Sequence, residues 1–332
     1  MEKAAWDPGA LLELSGYYWR TCSLHAGIKL DVFSIIGSRR MSAEAVARSL
    51  NAGRDGVGRL LDALAAMGLL AKNGGEYANT EASGKYLCTQ SSEYIGWMIM
   101  HHHHLLPSWA RLDEAVVSGG PLDYTTAESR QKWRECFLKG MHTNARLQAP
   151  RVAEVLELSG RKKLLDMGGG PGTYAIHFCQ ATPGLSAEVF DLPDARPVAE
   201  ENIAAAGLSG RIGFQEGDFH EDAVSGCFDV VWLSHILHGE GPQTCRELVS
   251  KAISVLEPGG RILVQDFILD DSLDSPEFPA LFSLNMLAVT RAGRAYCESE
   301  IRDILAGAGA SDIERLSFSS PTGAGIMSGI AR

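Results

Sequence analysis

The residues with the clearest chemical meaning lie at the middle of the chain, in Leu165-Asp166-Met167-Gly168-Gly169-Gly170-Pro171-Gly172-Thr173. An apolar run enters a glycine-rich turn, and helical spacing resumes at Tyr174. Glycines there let the backbone approach a ligand closely, and the start of the following helix offers unpaired N–H groups. The chemistry this supports is the grip on a small-molecule cofactor. A dinucleotide fingerprint reads G-x-G-x-x-G, but counting from Gly168 and Gly170 the sixth position is Thr173, and the third glycine comes early at Gly172. The spacing therefore weakens a nicotinamide reading.

Asp166 followed by G-x-G-x-G resembles the first motif of the methyltransferases that use S-adenosylmethionine. In an open α/β sheet the ligand lies outside the carboxyl ends of the strands, so acids ending successive strands are the next place to look. Asp191, in Val189-Phe190-Asp191-Leu192-Pro193, ends the second expected strand, where a carboxylate accepts both ribose hydroxyl hydrogens. Asp218, in Gly217-Asp218-Phe219, follows the third, where it accepts from an adenine amino group while Phe219 packs on the ring. Three acids at three strand ends, in order, outweigh a helix cap or turn as the explanation for each. Gly169, Leu192 and, at the end of the fourth strand, Ser234 complete the expected cofactor contacts.

The fourth strand reads Val230-Val231-Trp232-Leu233-Ser234-His235-Ile236-Leu237-His238, and the fifth ends Leu263-Val264-Gln265-Asp266. With the motifs DMGGGPG, VFDLP and EGDF and the turn Pro258-Gly259-Gly260, the chain resembles the caffeate and hydroxyneurosporene type of small-molecule O-methyltransferase. The resemblance implies that His238, in the I-L-H run, is the catalytic base and that Asp266 orients it. It also implies a winged-helix N-terminal domain that builds a homodimer. The assignment suits methyl transfer from a sulfonium, because an imidazole that removes its proton makes a hydroxyl a better in-line nucleophile.

By the same resemblance Met141, Asn144, Phe282, Met286 and Thr290 are acceptor-pocket candidates, and their apolar and aromatic balance suits a planar or hydrophobic acceptor such as a phenol. The chain departs from the family in having Ser234 where Lys is frequent and Gly239 where Asp follows the base. A second base-supporting acid, in a family segment G-K-E-R-T, aligns with Gly293-Arg294-Ala295-Tyr296-Cys297, so Ala295 stands in its place. Members of the family that kept fold and cofactor but changed the reaction make N- or C-methylation, or another reaction, the alternative, ahead of a nicotinamide-dependent oxidoreductase.

These residues need elements to hold them. Short apolar runs at Leu164–Met167, Ala187–Asp191, Arg211–Gln215, Phe228–Leu233 and Arg261–Phe267 alternate with helical spacing over Tyr174–Ala181, Ala195–Ala206 and Cys245–Leu256. That alternation predicts an α/β, Rossmann-like, mostly parallel sheet, closed by an antiparallel hairpin from Asp312–Ser319 and Gly325–Ile330. Upstream the pattern is helical. Ser42 is placed to cap a helix that Asn51-Ala52-Gly53 ends, Leu60, Leu61, Leu64 and Leu69 mark a second, and Gly74-Gly75 before Tyr77 predicts a hairpin, together an otherwise all-helical winged-helix domain. Between them Trp109, Leu112 and Val116, then Trp133, Phe137, Met141 and Ala145, mark connecting helices. The expected domains are 1–104 for dimerisation, 105–158 for the connection and 159–332 for the cofactor.

The bulk properties agree. The chain has 332 residues, 45% apolar and 21% charged, which is ordinary globular usage. Its net charge of −11 opposes phosphate backbones, and the second winged-helix segment balances Arg54 and Arg59 with Asp55 and Asp62, so no nucleic acid partner is expected. The absence of an apolar run long enough for a bilayer makes the expected compartment the cytoplasm, with no membrane partner. Seven scattered cysteines without a CxxC pair read as reduced thiols. Four adjacent histidines, His101 to His104, point in four directions on a helix and have no complementary ligands nearby, so no metal is expected.

Overall fold

The computed structural model describes residues 6–122, 127–320 and 323–332, those of 127–135 by their backbone only. The chain divides into two compact units, Met1–His104 and Leu105–Arg332.

In the first unit α1 (Pro8–Gly16), α2 (Tyr18–Lys29) and α3 (Val32–Ile36) precede β1 (Met41–Ser42), α4 (Ala43–Leu50), α5 (Arg54–Ala66), β2 (Leu70–Asn73), β3 (Glu76–Asn79) and α6 (Glu81–Tyr86). Ser42 Oγ caps α4 by accepting from Ala45 N–H at 3.2 Å, and Asn51, at φ 50°, ends it. Leu61 and Leu64 of α5 are fully buried, packed with Phe33, Ile36 and Val46. Gly74 and Gly75, at φ 57° and 82°, turn β2 into β3, and β1 adds to give the order β1-β3-β2. The unit is thus a helical cluster with a small wing rather than wholly helical. Lys72 Nζ and Tyr77 OH both bond to Asp62, fixing the wing to α5. Helix α7 (Gly96–Trp109) carries the histidine run, and within this unit His103 packs edge-on against His25 at 5.4 Å. Burial lowers His25 to about 4, so the contact is between neutral rings.

The second unit continues through α8 (Leu112–Ser118), α9 (Ala127–Leu156), β4 (Lys163–Met167), α10 (Thr173–Ala181), β5 (Ser186–Asp191), α11 (Arg196–Ala205) and β6 (Ile212–Glu216). It is completed by β7 (Phe228–Ser234), α12 (Pro242–Ser254), β8 (Leu256–Leu269), α13 (Glu277–Val289), β9 (Tyr296–Cys297), α14 (Glu298–Gly307), β10 (Ala310–Arg315) and β11 (Ala324–Ala331). The side chain of Trp133, expected on the connecting helix, lies outside the described residues. The strands form an eight-stranded sheet ordered β10-β11-β8-β7-β4-β5-β6, with β9 added against β8. Pairs among β4 to β8 are parallel, and β11 lies antiparallel to both β8 and β10.

Both faces of the sheet are covered, so successive strand residues go to alternate cores. Leu164, Val230, Trp232 and Leu263 pack toward α9, α10 and α11, while Leu165, Val231, Leu233 and Val264 pack toward α12 and α14. Trp232 is fully buried against Tyr174 and Phe178, each ring 5.2 Å away. Strand β8 begins before the expected Arg261. Its pairing with β7 jumps from Phe228 opposite Leu256 to Val230 opposite Arg261, so Pro258-Gly259-Gly260 bulges out, with Gly259 at φ 79°. No helix among the described residues is long and apolar enough to cross a membrane.

Candidate functional site

Because β4 and β7 are neighbours while the chain leaves them toward opposite edges, a crevice opens between their carboxyl ends. The first wall is the turn after β4. Gly168 and Gly170 take φ 73° and 48°, a region that disfavours side chains. Gly169 has a different reason: a Cβ there would lie 2.5 Å from Asp166 Cγ, because that carboxyl sits directly beneath the turn. Asp166 is 1% exposed and accepts from Ala175 N–H at 3.3 Å, in the first turn of α10. Burial, reinforced by the charge of Asp191, pushes it up to about 7. Asp191 accepts from Gly170 N–H and Leu192 N–H, both at 2.7 Å.

A cavity of about 310 Å³ occupies the crevice. Its walls include Asp166, Gly168, Gly169, Gly170, Asp191, Leu192, Phe219 and Ser234 of the expected cofactor set, and Met141 and Asn144 of the expected acceptor set. Asp218 does not join them. Its carboxylate accepts from His220 N–H at 2.9 Å through Oδ1, closing a local Asx turn, while its own N–H donates to Asp222.

The second wall is the segment after β7. His238 sits in a short turn, Leu237–Gly239, with Nδ1 2.7 Å from Asp266 Oδ1. Asp266 Oδ2 accepts the backbone N–H of His238 at 3.1 Å, so one carboxylate grips both ring and main chain. Burial alone would raise Asp266, but the charge and hydrogen bonding of His238, with His235 close by, together hold it well below the usual carboxylate range. An ionised Asp266 assigns the proton of neutral His238 to Nδ1 and leaves Nε2 as the basic nitrogen. Phe282 of α13 meets the His238 ring edge-on at 4.8 Å.

The other α13 candidates lie at its C-terminal end, Thr290 as the cap. Met286 is 6% exposed. Thr290 Oγ1 donates to Met286 O at 2.7 Å and accepts from Gly293 N–H at 2.9 Å, closing the turn after the helix. That turn matters indirectly, since a Cβ on Gly293 would come within 2.5 Å of His238 O. Ala295 is buried beside Leu269 and Cys297, so no acid reaches the base from there. Its neighbour Tyr296 instead donates to Glu240 O at 2.7 Å, tethering the chain just beyond His238.

One residue of the site was absent from the sequence expectations. His235 lines the cavity at φ 58°, its ring 4.6 Å from that of Phe267 and its Nδ1 3.8 Å from Asp266 Oδ1. At that separation the effect on Asp266 is electrostatic rather than a hydrogen bond. His235, His238 and Asp266 form the one compact group of three potential metal ligands among the described residues. Its only sequence signal is a second histidine three places before the first.

Residues 113–311 match the O-methyltransferase domain family, and residues 12–89 match the O-methyltransferase dimerisation domain. The chain belongs to the O-methyltransferase family. The chain is 33% identical over 329 residues to a 3-hydroxy-5-methyl-1-naphthoate 3-O-methyltransferase of Streptomyces sahachiroi, covering 97% of this chain and 95% of the relative. A solved O-methyltransferase family protein of Burkholderia thailandensis superposes with a TM-score of 0.86 at 29% identity, over 98% of each chain. Human N-acetylserotonin methyltransferase in complex with SAM gives 0.87 at 25% identity, over 99% of each chain.

Proposed function

We propose that this O-methyltransferase transfers the methyl group of S-adenosylmethionine to a hydroxyl of a small aromatic or hydrophobic acceptor, with His238 as general base and Asp266 as its partner. The observation that carries the reading is the 2.7 Å pairing of His238 Nδ1 with a buried Asp266, on the segment that walls a glycine-lined cavity.

The residues present fit the cofactor. The turn at Gly168 to Gly170 leaves a cradle that side chains would fill, Asp191 brings a carboxylate to the cavity wall where ribose hydroxyls would lie, and Phe219 supplies an apolar surface for a base. Asp166 offers a carboxyl whose charge a cationic amino group would stabilise. When bound, S-adenosylmethionine supplies an electrophilic methyl group on a sulfonium. His238 Nε2 takes the acceptor's hydroxyl proton as the nucleophile forms. Asp266 keeps the ring in the productive tautomer and stabilises the imidazolium. Phe282, against the base, and Met141, in the cavity wall, offer apolar surface for a planar acceptor, and Asn144 in the same wall adds an amide. The naphthoate named for the relative supports that class.

Replacing His238 by Ala is expected to lower kcat by about 10²- to 10⁴-fold with S-adenosylhomocysteine affinity unchanged. Unchanged turnover would remove His238 from the role of base. We read the N-terminal unit as a homodimerisation unit, supported by its family match and by exposed Leu12, Tyr18 and Trp19 at 72%, 60% and 68%. A monomeric mass by light scattering at micromolar concentration contradicts this.

A further inference from the structure

Besides the glycine turn, a large part of the cavity wall comes from α9, through Phe137, Leu138, Met141, Asn144 and Ala145. Further along, α9 is held by apolar packing, with Ala149 and Val152 fully buried in one core with Ala175 and Phe178 of α10. At the level of the cavity a polar junction takes over. His142, between Met141 and Asn144, sets Nδ1 2.8 Å from Thr173 Oγ1. Thr173 is the first residue of α10, 3% exposed and itself part of the cavity wall. From α11, Asn202 Nδ2 donates to Pro171 O at 3.0 Å and stands 3.4 Å from His142 Nδ1.

The donors decide the state of the ring. Pro171 O can only accept, which fixes the Asn202 atom beside it, and hence the atom beside His142 Nδ1, as the amide nitrogen. Nδ1 thus faces an N–H donor and is the acceptor of a neutral imidazole, so the Thr173 hydroxyl donates to it. Burial, then the charges of Arg146 on α9 and His177 on α10, lower His142 and favour this same form, while α11 presents the neutral Asn202.

We propose that His142 is a positioning residue of the cofactor site: accepting from Thr173, it holds the α9 wall against the rim of the glycine turn. This rests on the reading of the cavity as the S-adenosylmethionine site. An imidazolium would turn an Nδ1–H toward the Asn202 N–H, so protonation undoes the junction and frees the wall to move off the cofactor. The affinity that His142 contributes is therefore present while its ring is neutral and is lost as pH falls below the ordinary imidazole range.

The test is calorimetric titration of the full-length protein with S-adenosylhomocysteine from pH 8 down to about pH 5. At pH 8 His142→Ala is expected to bind about tenfold more weakly than the wild type, and that ratio is expected to shrink toward unity in acid. Asp166 titrates in the same cavity, but it does so in wild type and variant alike and cancels in the ratio. His142→Asn, whose amide oxygen stands where Nδ1 stood and accepts from the same donors, is expected to restore affinity at pH 8 and to keep it in acid, which a loss of packing alone would not produce. Thr173→Val, which keeps the shape and removes the hydroxyl, is expected to weaken binding by itself and to add little to His142→Ala. Equal affinities of wild type and His142→Ala at pH 8, a ratio that does not change with pH, or a His142→Asn protein as weak as His142→Ala each overturns the proposal. A wild type that does not bind S-adenosylhomocysteine overturns the reading of the cavity, and this proposal with it.

Discussion

Asp166 and Asp266 stand on the two strands that flank β7, 1% and 3% exposed, and burial acts on both in the same direction. Their charge states nonetheless diverge. Asp266 is held well below the usual carboxylate range because the chain itself supplies the compensating groups, His238 above all. Asp166 is pushed up to about 7 because the chain supplies one backbone N–H and, nearby, another acid. One end of the crevice carries its own compensating groups. The other is completed only by something positive that binds there.

The sharpest way to break this contrast is to neutralise Asp266. Asp266→Asn is expected to lower kcat by about 10²- to 10⁴-fold, since the amide removes the charge that stabilises an imidazolium, while S-adenosylhomocysteine affinity stays within about twofold. Asp166→Asn is expected to do the reverse, weakening S-adenosylhomocysteine by about tenfold to a hundredfold in calorimetry and leaving kcat at saturation much less affected. If both variants lose the same property, the two ends are not separate.

Glycine substitutions sharpen the same division. Gly293→Ala would press a methyl on His238 O and is expected to cost about tenfold in kcat with cofactor affinity intact, whereas Gly169→Ala would displace the Asp166 carboxyl and cost affinity. The smallest effect is on pH dependence. A raised carboxyl makes the native state bind the extra proton, so the Asp166 contribution makes the unliganded protein lose stability as pH rises from about 4 to 7. Asp266 has the opposite sign: its stabilisation is present above the ordinary carboxylate range and is lost as pH falls through and below it. Asp166→Asn should therefore melt several degrees higher than the wild type at pH 8 and match it at pH 4, and a flat difference would refute the assignment.

What the sequence disclosed follows the same line. The cofactor end was legible because its demands are local: glycines where the backbone bends into disfavoured φ, an acid at a strand end, apolar runs whose alternate residues enter two cores. The local use of Asp218 was not legible, because the bond its carboxylate accepts from the N–H of His220 two residues on depends on geometry that residue type does not announce. The turn closed by Thr290 was hidden similarly, since a hydroxyl three residues before a glycine closes a turn as readily as it lines a pocket. His235 could not be read at all, for its significance lies in a backbone angle and in Phe267, brought from the next strand. The pairing of Met41–Ser42 with the wing was hidden because two residues carry too little pattern to announce a strand.

The adjacency of β4 and β7 has a consequence for how such a protein can diverge. Residues 166–192 hold the glycine turn with its two carboxyls and residues 234–266 hold the histidine–aspartate pair, and the two stretches approach each other beside the β4–β7 pair, where Gly168 faces Ile236. Substitutions in the later stretch can retune which atom is methylated, or silence the reaction, without loosening the hold on the shared cofactor. Inheritance of the donor and invention of the acceptor are thereby decoupled along a single seam of the sheet.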